Sequence, residues 1–243
     1  MRRSVKRLIV LLYVLCPLVS SFADSLTFES VVQAFRAKYE SIIDYQCRMV
    51  ENCRKGSRYE ERTMNIYFKK PRFIRMDILK GNIFLDAGTI GVYKNDGKVT
   101  GRKGGFLSLF AMTVDKHDPQ ATSVRGLAFD EIDMQAVLEK MEFHIAESSA
   151  CTVTEGDGTY ELDCEGRDPA ANRGVTRDVV VLDAASLLPL STDSFEGSQL
   201  VQHAVWSSYI VNAGLPDKLF DVFWDPRQLT ALGIQNISAL PAN

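Results

Sequence analysis

The sequence predicts an α+β fold that is mainly antiparallel β, with a few helices on one face of the sheet. Three observations indicate it: segments whose apolar residues recur at every second position, two segments with helical spacing, and no alternation of strand and helix of the kind that builds parallel sheets. A strongly curved sheet with a helical plug is one form of this architecture.

The first 23 residues have the pattern of a signal peptide. Four basic residues precede an uncharged run at 8–19, and small residues follow at Ser21 and Ala23. The apolar run is short, because a membrane span needs about 20 residues. We therefore expect cleavage after Ala23, a signal peptide at 1–23, a single domain at 24–243 and a periplasmic location. A retained membrane anchor is the alternative.

Removal of this leader makes the acidic chain more negative, from a net charge of −3. It takes away four of the 28 basic residues and none of the 31 acidic ones, so the remaining 220 residues carry a net charge of −7. Nucleic acid is not expected as a partner, because binding it requires a basic surface that neutralises phosphates. Residues 24–243 contain no repeat or linker, and we expect a single-domain monomer.

Four cysteines follow the leader: Cys47, Cys53, Cys151 and Cys164. An even number in an exported chain predicts disulfides. In a hairpin whose two-residue turn is 157–158, Cys151 lies directly opposite Cys164, within bonding reach. Cys47 and Cys53 would lie about 20 Å apart in an extended strand, so their bridge needs a turn at 51–52. A metal site is the alternative, but neither spacing is that of CxxC.

The elements of the first half begin with an amphipathic helix at 27–43, whose apolar residues keep helical spacing for about four turns. Segments of period two follow on both sides of Pro71. A turn at 95–97 joins the last two of them. The strands predicted here are 64–68, 74–78, 83–85, 90–93 and 98–101.

The second half starts with an apolar segment at 106–112 that must be covered by other parts of the chain. A helix is predicted at 130–142, with Asp130 as its N-cap. Hairpin signals then return, and Asp225 with the following proline indicates a short terminal helix. The strands predicted here are the hairpin within 151–164 and the segments 177–183, 190–195 and 199–211.

The sequence offers little catalytic chemistry. The histidines His117, His144 and His203 lie in different elements without the spacing of metal ligands, which favours structural roles. Motifs for a serine nucleophile or a phosphate-binding loop do not occur. We expect no enzyme, no metal and no cofactor. A hydrolase acting on envelope polymers is kept as a third hypothesis, since its paired carboxylates would leave no motif.

An apolar surface is the main candidate site. One set of alternating side chains faces one side of the first strands: Met64, Ile66, Phe68, Ile74, Met76 and Ile78. A second set could close over it from the middle of the chain: Phe106, Leu107, Phe110, Val137, Leu138 and Met141. The alternation fits a sealed core as well as a hollow barrel, because both show the same pattern.

The segment 65–77 resembles the LolA/LolB-like lipoprotein-sorting superfamily. It has a strand ending in Lys69-Lys70-Pro71 and then a short aromatic strand, and weaker matches extend over most of 25–225. The resemblance implies a strongly curved, half-open β-barrel with helices packed in its concave face as a lid over an acyl-chain cavity. It also implies a role in lid closure for Lys70, where the carriers have a basic residue.

These observations lead to the hypothesis of a periplasmic carrier that buries acyl chains of a lipoprotein or lipid. The alternative is a sensor or regulatory module of the same fold that binds a membrane protein. The expected ligand-binding residues are Ile66, Phe68, Lys70, Ile74, Met76, Phe106, Leu107, Phe110, Leu138 and Met141. The rim residues Arg72, Arg75, Arg102 and Lys103 are candidates for contact with a polar head group.

Overall fold

The computed structural model describes residues 26–240 except 83–86, 148 and 167, and gives the backbone alone at 106 and 107. The expected leader at 1–23 and the expected strand at 83–85 therefore lie outside the described residues.

The described residues form one sheet of 11 antiparallel strands. Its strands are β1 (Asp44–Lys55), β2 (Arg58–Lys69), β3 (Phe73–Gly81), β4 (Ile90–Tyr93), β5 (Lys98–Arg102), β6 (Ala111–Asp115), β7 (Ala150–Gly156), β8 (Thr159–Glu165), β9 (Arg177–Asp183), β10 (Pro189–Glu196) and β11 (Gln199–Val211). They are ordered β6-β5-β4-β3-β2-β1-β11-β10-β9-β8-β7. Because β6 and β7 lie at opposite edges, the sheet stays open, and the predicted half-open, curved α+β fold is confirmed.

Two long helices lie against the sheet, α1 (Phe28–Ser41) and α2 (Met134–Ala146). Thr27 and Ser30 form a capping box at the start of α1. Helix α2 begins later than predicted, because its N-cap is Asp133, whose carboxylate accepts a hydrogen bond of 2.7 Å from the Ala136 amide. Asp130 instead pairs with Lys116 at 2.9 Å. A single turn, α3 (Gln228–Ala231), stands where the terminal helix was expected.

The main core lies between the helices and the concave face of the sheet. Phe35 of α1 and Met141 of α2 are fully buried there with strand residues such as Ile66, Phe68 and Ile74. The alternation in β2 and β3 aims these strand residues inward, as the sequence predicts. Burial of such side chains contributes about 1.5–3 kcal/mol each.

A buried carboxylate fastens α2 to the sheet. Asp178 of β9 accepts hydrogen bonds from Lys140 at 2.9 Å and Ser194 at 2.5 Å, and it lies 3.1 Å from His144 Nε2. Burial opposes ionisation of Asp178, but Lys140 and these hydrogen bonds outweigh it and hold the pKa of Asp178 well below its usual value. His144 is thus a buried structural residue of this network.

The convex face is covered by the C-terminal segment 213–240. A second apolar cluster joins Tyr67 and Val92 of the sheet to Leu219, Phe220 and other residues of this segment. The guanidinium of Arg75 is fully buried here, where Nη1 donates to the carbonyls of Leu219, Asp221 and Trp224 at 2.8–2.9 Å. Arg75 therefore holds the C-terminal segment in place, and its predicted place on a ligand-binding rim is wrong.

The cysteines divide into one disulfide and two thiols. Cys151 and Cys164 are paired across the β7–β8 hairpin and joined by a disulfide, as predicted from the turn. Cys47 and Cys53 are free and buried. The expected bridge between them is wrong, because β1 runs without a turn from Asp44 to Lys55 and keeps them in one extended strand.

Candidate ligand-binding cavity

A cavity of about 560 Å³ lies between the concave face of β2–β6 and the segment 119–132. Its lining extends from Glu51 in β1 to Met112 in β6. Pockets of this size suit a small organic ligand, and most of them combine apolar walls with a few polar groups.

The floor of the cavity is built from inward-facing residues of neighbouring strands. Met64, Met76, Ile78, Val99 and Val114 supply its apolar side chains. Gly91 lies between Met76 and Gly101 in the sheet register, and all three face inward. Only Gly101 leaves open space above the strand, because a Cβ added there would meet no atom closer than 3.9 Å. The sulfur-containing side chains are flexible, so this floor can adapt to the shape of an apolar ligand.

The roof of the cavity comes from the segment that precedes α2. Leu127, Ala128, Phe129 and Ile132 contribute apolar side chains. The ring of Phe129 lies directly on Gly91, where an added Cβ would come within 2.5 Å of Phe129 Cε2. Gly91 thus lets the roof approach the floor closely, which is a common reason for glycine inside a strand.

The roof is pinned at one end by polar contacts. Arg125 is 7% exposed and donates to the Arg54 carbonyl at 3.0 Å and to the Glu196 carboxylate at 2.6 Å. The Val124 amide donates to Glu60 at 2.9 Å. These bonds hold the segment across the sheet, from β1 and β2 to β10.

The end of the cavity beside β1 and β2 is charged. Glu51 and Glu60 are buried, and Arg62 lies 3.3 Å from Glu60. Burial raises the pKa of Glu51, and the charge of Arg62 opposes this rise. Cys53 and Gln202 donate hydrogen bonds to Glu51 at 3.4 and 3.2 Å. The cavity therefore offers a ligand one acidic, hydrogen-bonding end.

The opposite side of the cavity is open and apolar. Phe110 and Met112 line it and are 70% and 55% exposed, and Leu109 beside them is 79% exposed. Lys103 is an exposed cation in the same lining. The guanidinium of Arg102 lies over the ring of Phe223 and donates to the Ser108 carbonyl at 3.2 Å. Exposed apolar side chains beside a cavity are typical of a ligand entrance.

The predicted ligand-binding residues divide between the cavity and the closed core. Met76 and Phe110 line the cavity. Five others are at most 5% exposed and pack in the core beneath the helices: Ile66, Phe68, Ile74, Leu138 and Met141. The side chains of Phe106 and Leu107 lie outside the described residues. The concave face is thus sealed under α1 and α2 and hollow beneath the segment 119–132.

Lys70 lies away from the cavity, at the end of α1. Its Nζ donates to the carbonyls of Tyr39 and Glu40 at 3.0 and 2.8 Å and lies 4.9 Å from the centre of the Tyr39 ring. Arg72 contacts Asp133 and Glu139 at the start of α2. The turn between β2 and β3 therefore connects to both helices.

The roof residues were not found from the sequence. The segment 119–132 has no regular spacing of apolar residues, so its contacts with the sheet give no periodic signal. Gly91 and Gly101 were the available clue, because glycines at facing positions of neighbouring strands mark a place of close approach or open space.

Comparisons with known proteins concern the fold. No family model and no curated protein matches this chain. Among solved structures, an uncharacterized conserved protein from Thermus thermophilus is 10% identical, with 79% of this chain and 91% of that chain covered and a TM-score of 0.48. A protein domain described as outer membrane lipoprotein-sorting, from Vibrio parahaemolyticus, is 12% identical, with coverages of 80% and 96% and a TM-score of 0.42.

A LolA superfamily protein from Nitrosomonas europaea is 9% identical, with coverages of 81% and 98% and a TM-score of 0.37. All three are distant, so the functional argument rests on the cavity of this chain. Among the described residues, no helix has the length and apolarity needed to cross a membrane.

Proposed function

We infer that this chain is a divergent LolA-like protein, and we propose that it is an exported carrier of an acylated ligand, either a lipid or the lipid anchor of a lipoprotein. The observation that carries the proposal is the cavity of about 560 Å³ with an apolar floor and roof. Each methylene of an alkyl chain that leaves water for such a surface contributes about 0.8 kcal/mol.

The exposed apolar side chains beside the cavity support the proposal that the protein transfers its ligand as well as binding it. Leu109, Phe110 and Met112 are exposed beside the cavity, where a chain leaving a membrane or a partner protein would first meet apolar surface. The signal-peptide pattern at 1–23 supports delivery to the periplasm, where acylated molecules must cross water.

The test is to purify the protein from its own envelope fraction without detergent and extract it with organic solvent. Mass spectrometry of the extract should find alkyl-chain molecules in stoichiometric amount, and native mass spectrometry should show the matching mass increase. Protein that has been unfolded in denaturant, washed and refolded is the control and should yield none.

A protein that carries no lipid and does not take one up from vesicles would contradict the carrier. If the same lipid-free protein retained one inner-membrane protein in a pull-down, the regulatory module would replace the carrier as the function.

A further inference from the structure

We propose that the cavity takes one alkyl chain of about 16–18 carbons, with a polar, non-anionic head group at the Glu51–Glu60–Arg62 end. This inference rests on the proposed function and names the class of ligand. It excludes a ligand that buries two or more chains together.

The size argument follows from the volume. A methylene fills about as much space as one water molecule occupies in the liquid, about 30 Å³, so 560 Å³ holds about 18 of them. A second chain would need about twice this volume. The roof is tied down through Arg125 and Glu60, and Phe129 lies on Gly91, so the space has little freedom to double.

The head-group argument follows from the charges in the lining. A cavity for a bare hydrocarbon needs no charged end, because burying charge without a polar partner is unfavourable. Here Glu51 and Glu60 are buried beside Arg62, and Gln120, Thr122 and Ser123 add polar groups to the same lining. At this end an anionic head would meet two carboxylates against the single cation Arg62, whereas hydroxyl or amide groups could donate hydrogen bonds to the carboxylates.

A substitution at Gly101 directly tests where the alkyl chain of the ligand lies in the cavity. Gly101 lines the floor, and a Cβ added there would meet no atom closer than 3.9 Å. A Gly101→Leu side chain would therefore enter the cavity without displacing the sheet. Thr113→Leu is the matched control, because Thr113 of β6 is exposed and its hydroxyl bonds that of Thr100 at 2.9 Å on the other face.

The experiment measures displacement of the neutral fluorescent probe N-phenylnaphthylamine from lipid-free protein at pH 8. Monopalmitoylglycerol should bind at one molecule per protein, at least ten-fold more tightly than dipalmitoylglycerol and five-fold more tightly than palmitate. Across a series of monoacylglycerols, affinity should rise up to about four-fold per methylene and level off near 16–18 carbons. Gly101→Leu should weaken monopalmitoylglycerol binding at least ten-fold, and Thr113→Leu should leave it unchanged.

The outcomes separate the two proposals. If no amphiphile displaces the probe, the carrier function itself fails. Equal affinity for the one-chain and two-chain glycerides would overturn the single-chain inference and leave the carrier standing. Tighter binding of palmitate than of monopalmitoylglycerol would overturn the head-group assignment. The chain-length series uses the unaltered protein, so the inference stays testable even if Gly101→Leu does not fold.

Discussion

At the scale of single residues, Asp178 connects two layers of the molecule. Its carboxylate lies on β9 and contacts Lys140 and His144 of α2 as well as Ser194 of β10. A buried carboxylate with several donors is stabilised in its charged form, and removing it leaves those donors without a charged partner.

We predict that Asp178→Asn lowers the free energy of unfolding at pH 7 by about 3 kcal/mol. Because the pKa of Asp178 is lowered in the folded protein, its contribution is present above the unfolded pKa, near 4, and is lost as the pH falls below it. The free energy of unfolding can be measured with urea at pH 7, 5, 4 and 3. On acidification it should fall in the wild type by more than it falls in the Asp178→Asn variant.

Asp163→Asn is the matched control for this measurement. Its partner Arg177 is exposed on the surface of β9, so the change should cost less than about 1 kcal/mol. An Asp178→Asn protein as stable as the wild type at pH 7 would show that the buried network adds nothing to the fold.

Single residues also show which contacts can be predicted from the sequence and which cannot. The pairing of Cys151 with Cys164 followed from a two-residue turn, because hairpin register depends on local geometry. The place of Phe129 on Gly91 could not be derived, since it depends on a contact between segments far apart in sequence. Met76 and Phe110, which the sequence predicts as ligand contacts, line the cavity, but the pattern could not distinguish them from core residues such as Ile74.

At the scale of elements, the turn between β2 and β3 links both long helices to the sheet. Lys70 binds the last carbonyls of α1, where a cation is favourable to the helix dipole. Two residues later, Arg72 contacts the buried N-cap Asp133 of α2 and donates to the Asp130 carbonyl at 2.7 Å. Of the two basic residues that flank Pro71, Lys70 therefore contacts the C-terminus of α1 and Arg72 contacts the N-terminus of α2.

We predict that Arg72→Ala lowers the free energy of unfolding by about 3 kcal/mol, because Asp133 would remain buried without its cation. Amide hydrogen exchange should become faster in the first turn of α2. Lys70→Ala is the comparison variant: it should cost about 1 kcal/mol and affect the last turn of α1. Unchanged exchange in α2 of the Arg72→Ala protein would refute this role of the turn.

Strand β1 shows why one element was absent from the sequence prediction. Its inward residues include Met49, and its other face carries Gln46 and Arg48, which bond to carbonyls of Gln235 and Ile237. Polar side chains are thus buried on the convex side, and the usual alternation of buried and exposed positions disappears. The C-terminal segment that creates this burial lies almost 200 residues away in sequence.

At the scale of the whole molecule, the architecture was predictable because it depends on patterns that repeat along the chain. Neighbouring strands within each half followed from successive period-two segments joined by short turns, whereas the pairing of β1 with β11 was not predicted. The division of the concave face into a sealed half and a hollow half was not predictable, since both halves have the same alternation.

We predict that the mature protein begins at Asp24 and is recovered from the periplasmic fraction. The small residues Ser21 and Ala23 fit the requirement of a signal peptidase. Amino-terminal sequencing of the purified protein checks this directly, and an Ala23→Arg variant should accumulate as the uncleaved precursor. Wild-type protein that kept its first residues and sedimented with membranes would show that the leader is an anchor.

The C-terminal segment on the convex face has a mechanical consequence. Since Arg75 binds three of its carbonyls and Tyr67 packs beneath it, the middle of the sheet is covered on both sides, and these contacts oppose bending of the sheet. A ligand of the cavity would then enter through the open side lined by Phe110 and Met112, without bending of the sheet. Replacing the segment at 119–132 would therefore change the roof of the cavity while leaving its floor on the sheet unchanged.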